Sequence, residues 1–167
     1  LAGDKEVKSR VELPFSTPWR TVIVGDRVGA LVESCMVLNL NEPCKLEDTS
    51  WIKPMKYVGV WWEMHLKVSI WDMDGKYPHC ATTENVKKYI DFAAENGFGG
   101  LLVEGWNEGW GWGERFDYST PYPDFDIEEL CRYAEERGVE LIGHHETYAN
   151  VVNYEEQMTD AYAYYAK

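Results

Sequence analysis

The stretch GGLLVEG (residues 99–105) is a short, continuous apolar run bounded by glycines. A run of this kind is typical of a parallel strand that is buried on both faces. A helix is predicted before it, because apolar side chains recur at helical spacing after Thr82 and Thr83 and stop at Asn96 and Gly97. The apolar positions of that helix are Val86, Tyr89, Ile90, Ala93 and Ala94. The middle of the chain therefore predicts a helix that leads into a buried strand.

Further strands and helices are predicted on both sides of this strand. KYVGVWWEM (residues 56–64) predicts an earlier strand, and VELIGHHE (residues 139–146) predicts a later one. Two further helices follow capping boxes, in which Asp or Asn is followed three residues later by Glu. These boxes are Asp126 with Glu129, in a helix ended by Gly138, and Asn153 with Glu156.

The resulting order is β-α-β-α-β-α, with the long loops placed after the strands. This arrangement indicates an α/β fold, a partial (β/α)8 TIM barrel consisting of its first three β/α units. A doubly wound sheet is the alternative, but no GxGxxG pattern follows the first strand. Residues 51–167 are therefore assigned to the N-terminal part of a barrel.

The first fifty residues have a different pattern. WRTVIVGD (residues 19–26) and GALVESCMVLNLNEP (residues 29–43) are rich in strand-forming apolar residues, with no helix between them. Several strands in succession predict the end of an all-β domain. Residues 1–50 are assigned to that domain and a linker.

Composition excludes several classes of partner. Among 167 residues there are 29 Asp and Glu against 16 Lys and Arg, a net charge of -13, which argues against nucleic acid and anionic membrane surfaces. No apolar run is long enough to insert into a membrane, and the first ten residues contain no signal-peptide core. The four cysteines lack ligand spacing and are predicted to be free structural thiols, with Cys131 in the core of a helix face.

Carboxylates and tryptophans gather at the predicted strand ends, where barrel enzymes place their chemistry. Glu63 ends the first strand, Glu104 ends the second, and His144 and Glu146 end the third. This combination indicates glycoside hydrolysis, because indoles pack on sugar faces and bond cleavage needs two carboxyl groups. Strand alternation also places His144 and Glu146 on one face, so a metal hydrolase with a third ligand from elsewhere is an alternative.

The loop VEGWNEGWGWGERFD (residues 103–117) carries three tryptophans among glycines. Trp110 and Trp112 have few neighbours able to bury them, so the loop is predicted to be an exposed sugar-binding lid. Trp106 adjoins the strand end, and packing beneath the loop is its alternative. Trp61 and Trp62 face opposite sides of one predicted strand, so one of them is predicted to be core.

Four blocks of the sequence resemble glycoside hydrolase family 97, a family of α-glucosidases and α-galactosidases. They are KYVGVWWEMH, HCATTENVKKYIDFAAENGFGGLLVEGWNEGW, TPYPDFDIEELCRYAEERGVELIGHHET and NYEEQM. The resemblance runs from about Val11 to the end of the chain. It implies a β-super-sandwich domain followed by a (β/α)8 barrel, with the present chain spanning the end of the first and the start of the second.

The resemblance also implies roles for individual residues. In the inverting α-glucosidase branch, the glutamate of the HHET block is a catalytic base, which is Glu146 here. The general acid, a second base and most ligands of a calcium ion are expected outside this chain, as is the aspartate nucleophile of the retaining α-galactosidase branch. The substrate-binding candidates are Glu104, Trp106, Trp110, Trp112, Trp62 and His144.

The expected whole enzyme is thus a calcium-dependent, inverting α-glucosidase that acts on starch oligosaccharides in the periplasm. The alternatives are a retaining α-galactosidase of the same family and a non-catalytic carbohydrate-binding remnant.

Overall fold

The computed structural model describes residues 10–69, 79–110 and 116–167. The chain divides into two compact units, Leu1–Trp51 and Ile52–Lys167. No helix in the described part of the chain is long and apolar enough to cross a membrane.

The described residues of the first unit contain two short helices, α1 (Gly29–Glu33) and α2 (Met36–Leu40), and no strand. The strands predicted over residues 19–26 and 29–43 are therefore wrong for this structure. The physical reason is burial: no residue from 10 to 51 is buried, and Val24 and Val32 are 87% and 88% exposed. A β-branched run forms a strand when its side chains pack on a half-buried pleated surface, which is absent from the described residues of this unit.

The second unit contains a three-stranded parallel sheet. Its strands are β1 (Tyr57–Gly59), β2 (Gly100–Leu102) and β3 (Glu140–Ile142), in the order β1-β2-β3. The central, parallel, buried position predicted for GGLLVEG is confirmed, since β2 pairs with both neighbours and Leu101 is fully buried. The spatial order equals the chain order, as in a barrel, but three strands do not test closure. The barrel stays a prediction.

The first predicted strand is shorter than expected. β1 ends at Gly59, one further ladder bond joins Val60 N to Leu102 O at 3.2 Å, and the chain then turns into the short helix α3 (Trp62–His65). Val60, the last residue that bonds to β2, is fully buried in the core. Trp61 and Trp62 therefore do not alternate along a strand.

Two amphipathic helices cover one face of the sheet. α4 (Thr83–Glu95) packs against β1 and β2, α5 (Ile127–Glu135) packs against β3, and the two helices pack against each other. The predicted cap Thr82 is confirmed, since its side chain accepts a hydrogen bond from Asn85 N. The buried core between helices and sheet comprises Val60, Cys80, Ala81, Val86, Ile90, Ala93, Leu101, Val103, Trp106, Tyr122, Phe125, Leu130, Ala134 and Val139.

The capping boxes are confirmed only in part. Asp126 accepts from Glu129 N at 3.0 Å, as predicted, but the Glu129 carboxylate binds Lys87 on α4 rather than closing the box. Asp126 N instead donates to Thr83 Oγ1 at 2.7 Å, which ties together the starts of α4 and α5. Gly138 follows α5 in the left-handed region, with φ of 68°, as a helix stop requires.

The last helix, α6 (Val151–Tyr165), begins earlier than predicted. Its cap is Asn150, whose side chain accepts from Asn153 N at 3.3 Å. Asn153 lies inside the first turn, is 5% exposed, and donates through Nδ2 to Phe116 O at 3.1 Å. A buried asparagine with a backbone acceptor nearby is held inside the helix rather than at its end. The predicted burial of Cys131 is also wrong, because this thiol is exposed on α5, while all four cysteines are free.

Candidate active site

Three glutamates come after the three parallel strands. The last residues of the strands, Gly59, Leu102 and Ile142, are paired in register, so the segments that leave the strands start along one edge of the sheet. The glutamates in these segments are Glu63, Glu104 and Glu146, and all are half-buried. Parallel sheets gather loop side chains at this carboxyl edge, which is where α/β enzymes carry out their reactions.

Glu63 and Glu104 both lie near the thiol of Cys80. Burial raises the pKa of Cys80 to about 11, and the charges of Glu63 and Glu104 add to this effect. A thiol in this environment stays protonated at neutral pH. Cys80 is 1% exposed and is part of the core rather than a nucleophile.

Glu63 is bound to α4. Its Oε1 accepts from Asn85 Nδ2 at 3.1 Å and from the Tyr89 hydroxyl at 2.9 Å. Burial and the hydrogen bond to Glu63 raise the pKa of Tyr89, so the phenol remains a donor. The sequence placed Glu63 among the candidate carboxylates at the strand ends, and the structure shows it joining the turn after β1 to α4.

Glu146 lies on a loop, not on a strand. β3 ends at Ile142, so the alternation that placed His144 and Glu146 on one strand face does not apply. Glu146 Oε1 accepts from Tyr148 N at 2.7 Å and closes a tight turn in which Tyr148 and Ala149 have φ of 46° and 63°. The carboxylate therefore helps to fold its own loop, and its second oxygen would have to serve any reaction.

The two histidines before Glu146 have different surroundings. His144 O accepts from Trp106 Nε1 at 3.3 Å and from the Tyr165 hydroxyl at 3.1 Å. His145 stacks on Tyr165 with ring centroids 4.6 Å apart, and its Nδ1 lies 3.1 Å from the Tyr154 hydroxyl. Burial, aided by the neighbouring His144, lowers the pKa of His145, which favours a neutral ring.

Metal binding finds no support within the described ranges. In residues 10–69, 79–110 and 116–167, no group of three or more His, Cys, Asp or Glu side chains is placed to hold a metal ion. The described residues therefore do not fit a calcium site by themselves, and they supply no third ligand for a site built on His144 and Glu146.

The tryptophans after β2 are more buried than predicted. Trp106 is 4% exposed and stacks on Tyr164, with centroids 6.0 Å apart and planes 4° apart. A ring buried to this degree has no free face for a sugar. Trp106 therefore packs beneath the loop, which was the alternative left open for it.

Trp110 is half-buried, and the prediction that it is exposed is wrong. Its ring lies 5.4 Å from Trp61 and 5.6 Å from Phe116, and Nε1 donates to Asn107 Oδ1 at 2.8 Å. Trp61 comes from a distant part of the chain, and the glycine-rich local sequence could not indicate this contact. Trp112 lies outside the described residues.

Trp62 is the exposed tryptophan of the pair after β1. It is 65% exposed, and its ring lies 5.4 Å from that of His65. Trp61 is half-buried and donates through Nε1 to His65 Nε2 at 2.6 Å. The unequal burial expected of this pair is present, although it arises from a helical turn rather than from strand alternation.

Two residues that the sequence did not single out organise the loop after β2. Asn107, 2% exposed, accepts from Trp110 and donates through Nδ2 to Asp117 O at 2.7 Å. Asp117 accepts through Oδ1 from Ser119 N at 2.9 Å and Thr120 N at 3.0 Å. The Asp-Tyr-Ser-Thr sequence was the available signal, because an aspartate often binds backbone N–H groups two and three residues ahead.

A comparison with protein-family models decides the classification. The glycoside hydrolase 97 model matches residues 61–167, and the model of the N-terminal region of glycosyl hydrolase 97 matches residues 1–43. The chain belongs to glycoside hydrolase family 97. The resemblance noted in the sequence is thereby confirmed.

Two curated relatives of this family 97 chain are galactosidases by name. It is 28% identical over 160 residues to a retaining alpha-galactosidase of Bacteroides thetaiotaomicron, covering 95% of this chain and 22% of that protein. It is 31% identical over 129 residues to a probable retaining alpha-galactosidase of Streptomyces bingchenggensis, covering 75% of this chain and 18% of that protein.

A solved structure is more similar. A family 97 enzyme from Pseudoalteromonas sp. strain K8 in complex with acarbose shares 53% identity at a TM-score of 0.75, over 84% of this chain and 22% of that one. A variant of the enzyme in complex with panose matches equally well. The chain thus spans about a fifth of its relatives' length. A polypeptide that contains this chain and is as long as these relatives is called the full-length enzyme.

The contrast between Trp110 and Trp62 predicts opposite effects of removing each ring. Trp110→Ala in the full-length enzyme should reduce the free energy of unfolding by about 2–4 kcal/mol, because a packed ring and a hydrogen bond are lost. Trp62→Ala should change it by less than about 0.5 kcal/mol but weaken oligosaccharide binding. Thermal unfolding and calorimetric titration with acarbose would measure both. Equal melting temperatures for the two variants would contradict the packing role of Trp110.

Asp117 predicts a pH-dependent contribution to stability. Burial raises the pKa of Asp117, but hydrogen bonds from Ser119 and Thr120 outweigh burial and hold it below its usual value of 3.8. The ionised form is therefore favoured in the folded state. Its stabilisation is complete well above pH 3.8 and is lost as the pH falls through the lowered value.

Asp117→Ala should therefore destabilise the full-length enzyme by about 1–2 kcal/mol at pH 7 and by less at pH 3. Asp160→Ala, at an exposed aspartate of α6, is the matched control and should have little effect at either pH. Thermal unfolding at the two pH values measures the difference. If Asp117→Ala lowered the free energy of unfolding by the same amount at pH 7 and pH 3, the role assigned to the Asp117 charge would be contradicted.

Proposed function

We propose that this chain is part of a family 97 glycosidase that hydrolyses α-linked glucosides of oligosaccharides with inversion of configuration. Glu146 is the catalytic base in this proposal. Glu104 and Trp62 contact the substrate, together with His144. Trp106, 4% exposed, is not proposed as a sugar contact, and the half-buried Trp110 offers only part of its ring.

The proposed sugar is based on a comparison of sequence identity to two groups of relatives. Identity is 53% to the enzyme whose complexes contain acarbose and panose, against 28% and 31% to relatives named retaining alpha-galactosidases. Panose is built of α-linked glucose units. The higher identity supports an α-glucoside as the substrate class.

The position of Glu146 supports its role. It follows β3 on the same edge of the sheet where Glu104 follows β2, and this is the edge at which enzymes with parallel sheets bind their substrates. An inverting hydrolysis needs a base that takes a proton from water on one face of the sugar. It also needs an acid on the other face, expected outside this chain, that protonates the leaving oxygen. The bond from Tyr148 N to one oxygen of Glu146 fixes the carboxylate for that attack.

Three features of the whole enzyme belong to the proposal. The parallel order β1-β2-β3 with α4 and α5 on one face supports a (β/α)8 barrel that begins with this sheet. Calcium is proposed for the full-length enzyme, where it would offset negative charge beside the sugar. Its ligands are expected outside this chain, and no step above passes through it. A periplasmic location is proposed from the family resemblance alone.

Retention of configuration on α-galactosides is the second candidate, favoured by the names of the two curated relatives. The two reactions differ in the sugar and in the anomer that is released first. Both differences can be measured on one preparation.

The test compares aryl α-glucoside and aryl α-galactoside as substrates of the full-length enzyme, with proton NMR of the first sugar released. We expect kcat/KM for the glucoside to exceed that for the galactoside by more than about tenfold. We also expect β-glucose to appear first. Preferred cleavage of the galactoside with α-galactose released first would replace the proposal by the second candidate. Binding of panose without turnover of either substrate would indicate a carbohydrate-binding remnant.

A further inference from the structure

The loop that carries Glu146 has no regular secondary structure to hold it. β3 ends at Ile142 and α6 begins at Val151, and the backbone between them belongs to no helix or strand. A carboxylate that must meet a water and a sugar needs its backbone fixed to within a fraction of an ångström. The contacts to the carbonyl groups of this loop therefore determine where the carboxylate stands.

Side chains from the segment after β2 and from α6 bind these carbonyl groups. The Tyr118 hydroxyl donates to Glu146 O at 3.0 Å. His144 lies two residues before Glu146, and its carbonyl oxygen accepts hydrogen bonds from Trp106 Nε1 and the Tyr165 hydroxyl. Tyr118 is thus the donor that reaches the backbone of Glu146 itself.

Tyr118 is held rigidly enough to serve as a fixed point. It is 1% exposed, and its ring lies 5.1 Å from that of Tyr154 and 5.2 Å from that of His145. Its backbone N–H donates to Gln157 Oε1 on α6 at 3.3 Å. Burial raises the pKa of Tyr118, so the hydroxyl keeps its proton and remains a donor.

We propose that Tyr118 is a positioning residue for the Glu146 carboxylate, an inference that rests on the base role proposed for Glu146. The hydroxyl fixes the Glu146 carbonyl, and Tyr148 N fixes one carboxylate oxygen, so the residue is held at both ends. Loss of the hydroxyl leaves the ring in place and removes two contacts, the bond to the Glu146 carbonyl and a side-chain hydrogen bond with Asn153 on α6. The effect should appear in the chemical step rather than in substrate binding.

The test is Tyr118→Phe in the full-length enzyme, with Tyr133→Phe as the matched control. Tyr133 loses the same atom, a hydroxyl bound to Asp91 at 2.9 Å on the outer helices. Tyr118→Phe should lower kcat on an aryl α-glucoside about tenfold, since small misplacements of reacting groups cost one to two orders of magnitude. KM should stay within about twofold, because the hydroxyl does not touch the sugar. Tyr133→Phe should change neither constant.

A double-mutant cycle separates positioning from general loosening. In a Glu146→Gln background, Tyr118→Phe should change the residual rate by less than about twofold, because no base is left to misplace. Titration with acarbose, the ligand of a related complex, counts correctly folded sites in every variant, so that a folding defect is not read as lost kcat. Equal kcat values for the Tyr118 and Tyr133 variants, or an undiminished tenfold loss in the Glu146→Gln background, would overturn the positioning role. Near-normal kcat for Glu146→Gln alone would instead refute the proposed function.

Discussion

Glu146→Gln should lower kcat of the full-length enzyme by about 10²–10⁴, the range for loss of a general base. The amide has the shape of the carboxylate but cannot take a proton from water. Its carbonyl oxygen can still accept from Tyr148 N, the 2.7 Å bond that closes the turn, so the loop should keep its conformation. KM should change little, because the ground-state sugar loses no uniform binding contact.

Glu140→Gln is the matched control, at an exposed glutamate that begins the same strand, β3. It makes the same chemical change at the end of the strand remote from the carboxyl edge and should leave kcat unchanged. Initial rates on an aryl α-glucoside, with melting temperatures for both variants, provide the measurement. A second carboxylate that shares the role would place the loss near the lower end of the range. A Glu146 variant with kcat near that of the Glu140 variant would remove Glu146 from the catalytic set.

The central strand and its two flanking helices could be predicted because their signals are local. An apolar run bounded by glycines specified β2, and the side-chain caps Thr82 and Asp126 specified where α4 and α5 begin. Each signal is complete within a few residues, and the packing of the sheet then agrees with it. Local and tertiary preferences coincide over this part of the chain.

The failures occur where distant contacts override local pattern. Trp110 lies among glycines in sequence, yet Trp61 and Phe116 bury half of it in the fold. β1 was predicted to run through Met64, but pairing with β2 ends at Val60 and the chain continues into α3. The contact between Trp110 and Trp61 joins distant segments, so periodicity alone could not indicate it.

The candidate site was predicted as a set of residues rather than as an arrangement. The sequence placed Glu104 and Glu146 after neighbouring strands, which the register of β2 and β3 agrees with. It gave no sign that Tyr118 would reach the Glu146 carbonyl, because the partners are 28 residues apart. A hydrogen bond between distant residues depends on the tertiary fold that brings the two segments together. The local sequence of either segment does not specify it.

Residues 1–167 alone should be catalytically inactive and should self-associate in solution. An inverting hydrolysis needs an acid and a base on opposite faces of the sugar, and only the base is assigned within this chain. The first unit has no buried residue from 10 to 51, and Trp19 and Val24 are 79% and 87% exposed. Within the described residues, β3 pairs on one side only, which leaves an open strand edge. Apolar surface and an open edge of this kind favour association between chains.

The purified chain would be incubated with an aryl α-glucoside and calcium, beside its Glu146→Gln variant as control. Equal, background rates for the two are expected, because removing a base has no effect where no complete acid–base pair exists. Sedimentation velocity on the same samples should give species larger than the 19.3 kDa monomer. Turnover clearly above the variant would mean that the acid lies within this chain, with Glu104 the first residue to substitute. A single monomeric species would contradict the expected self-association.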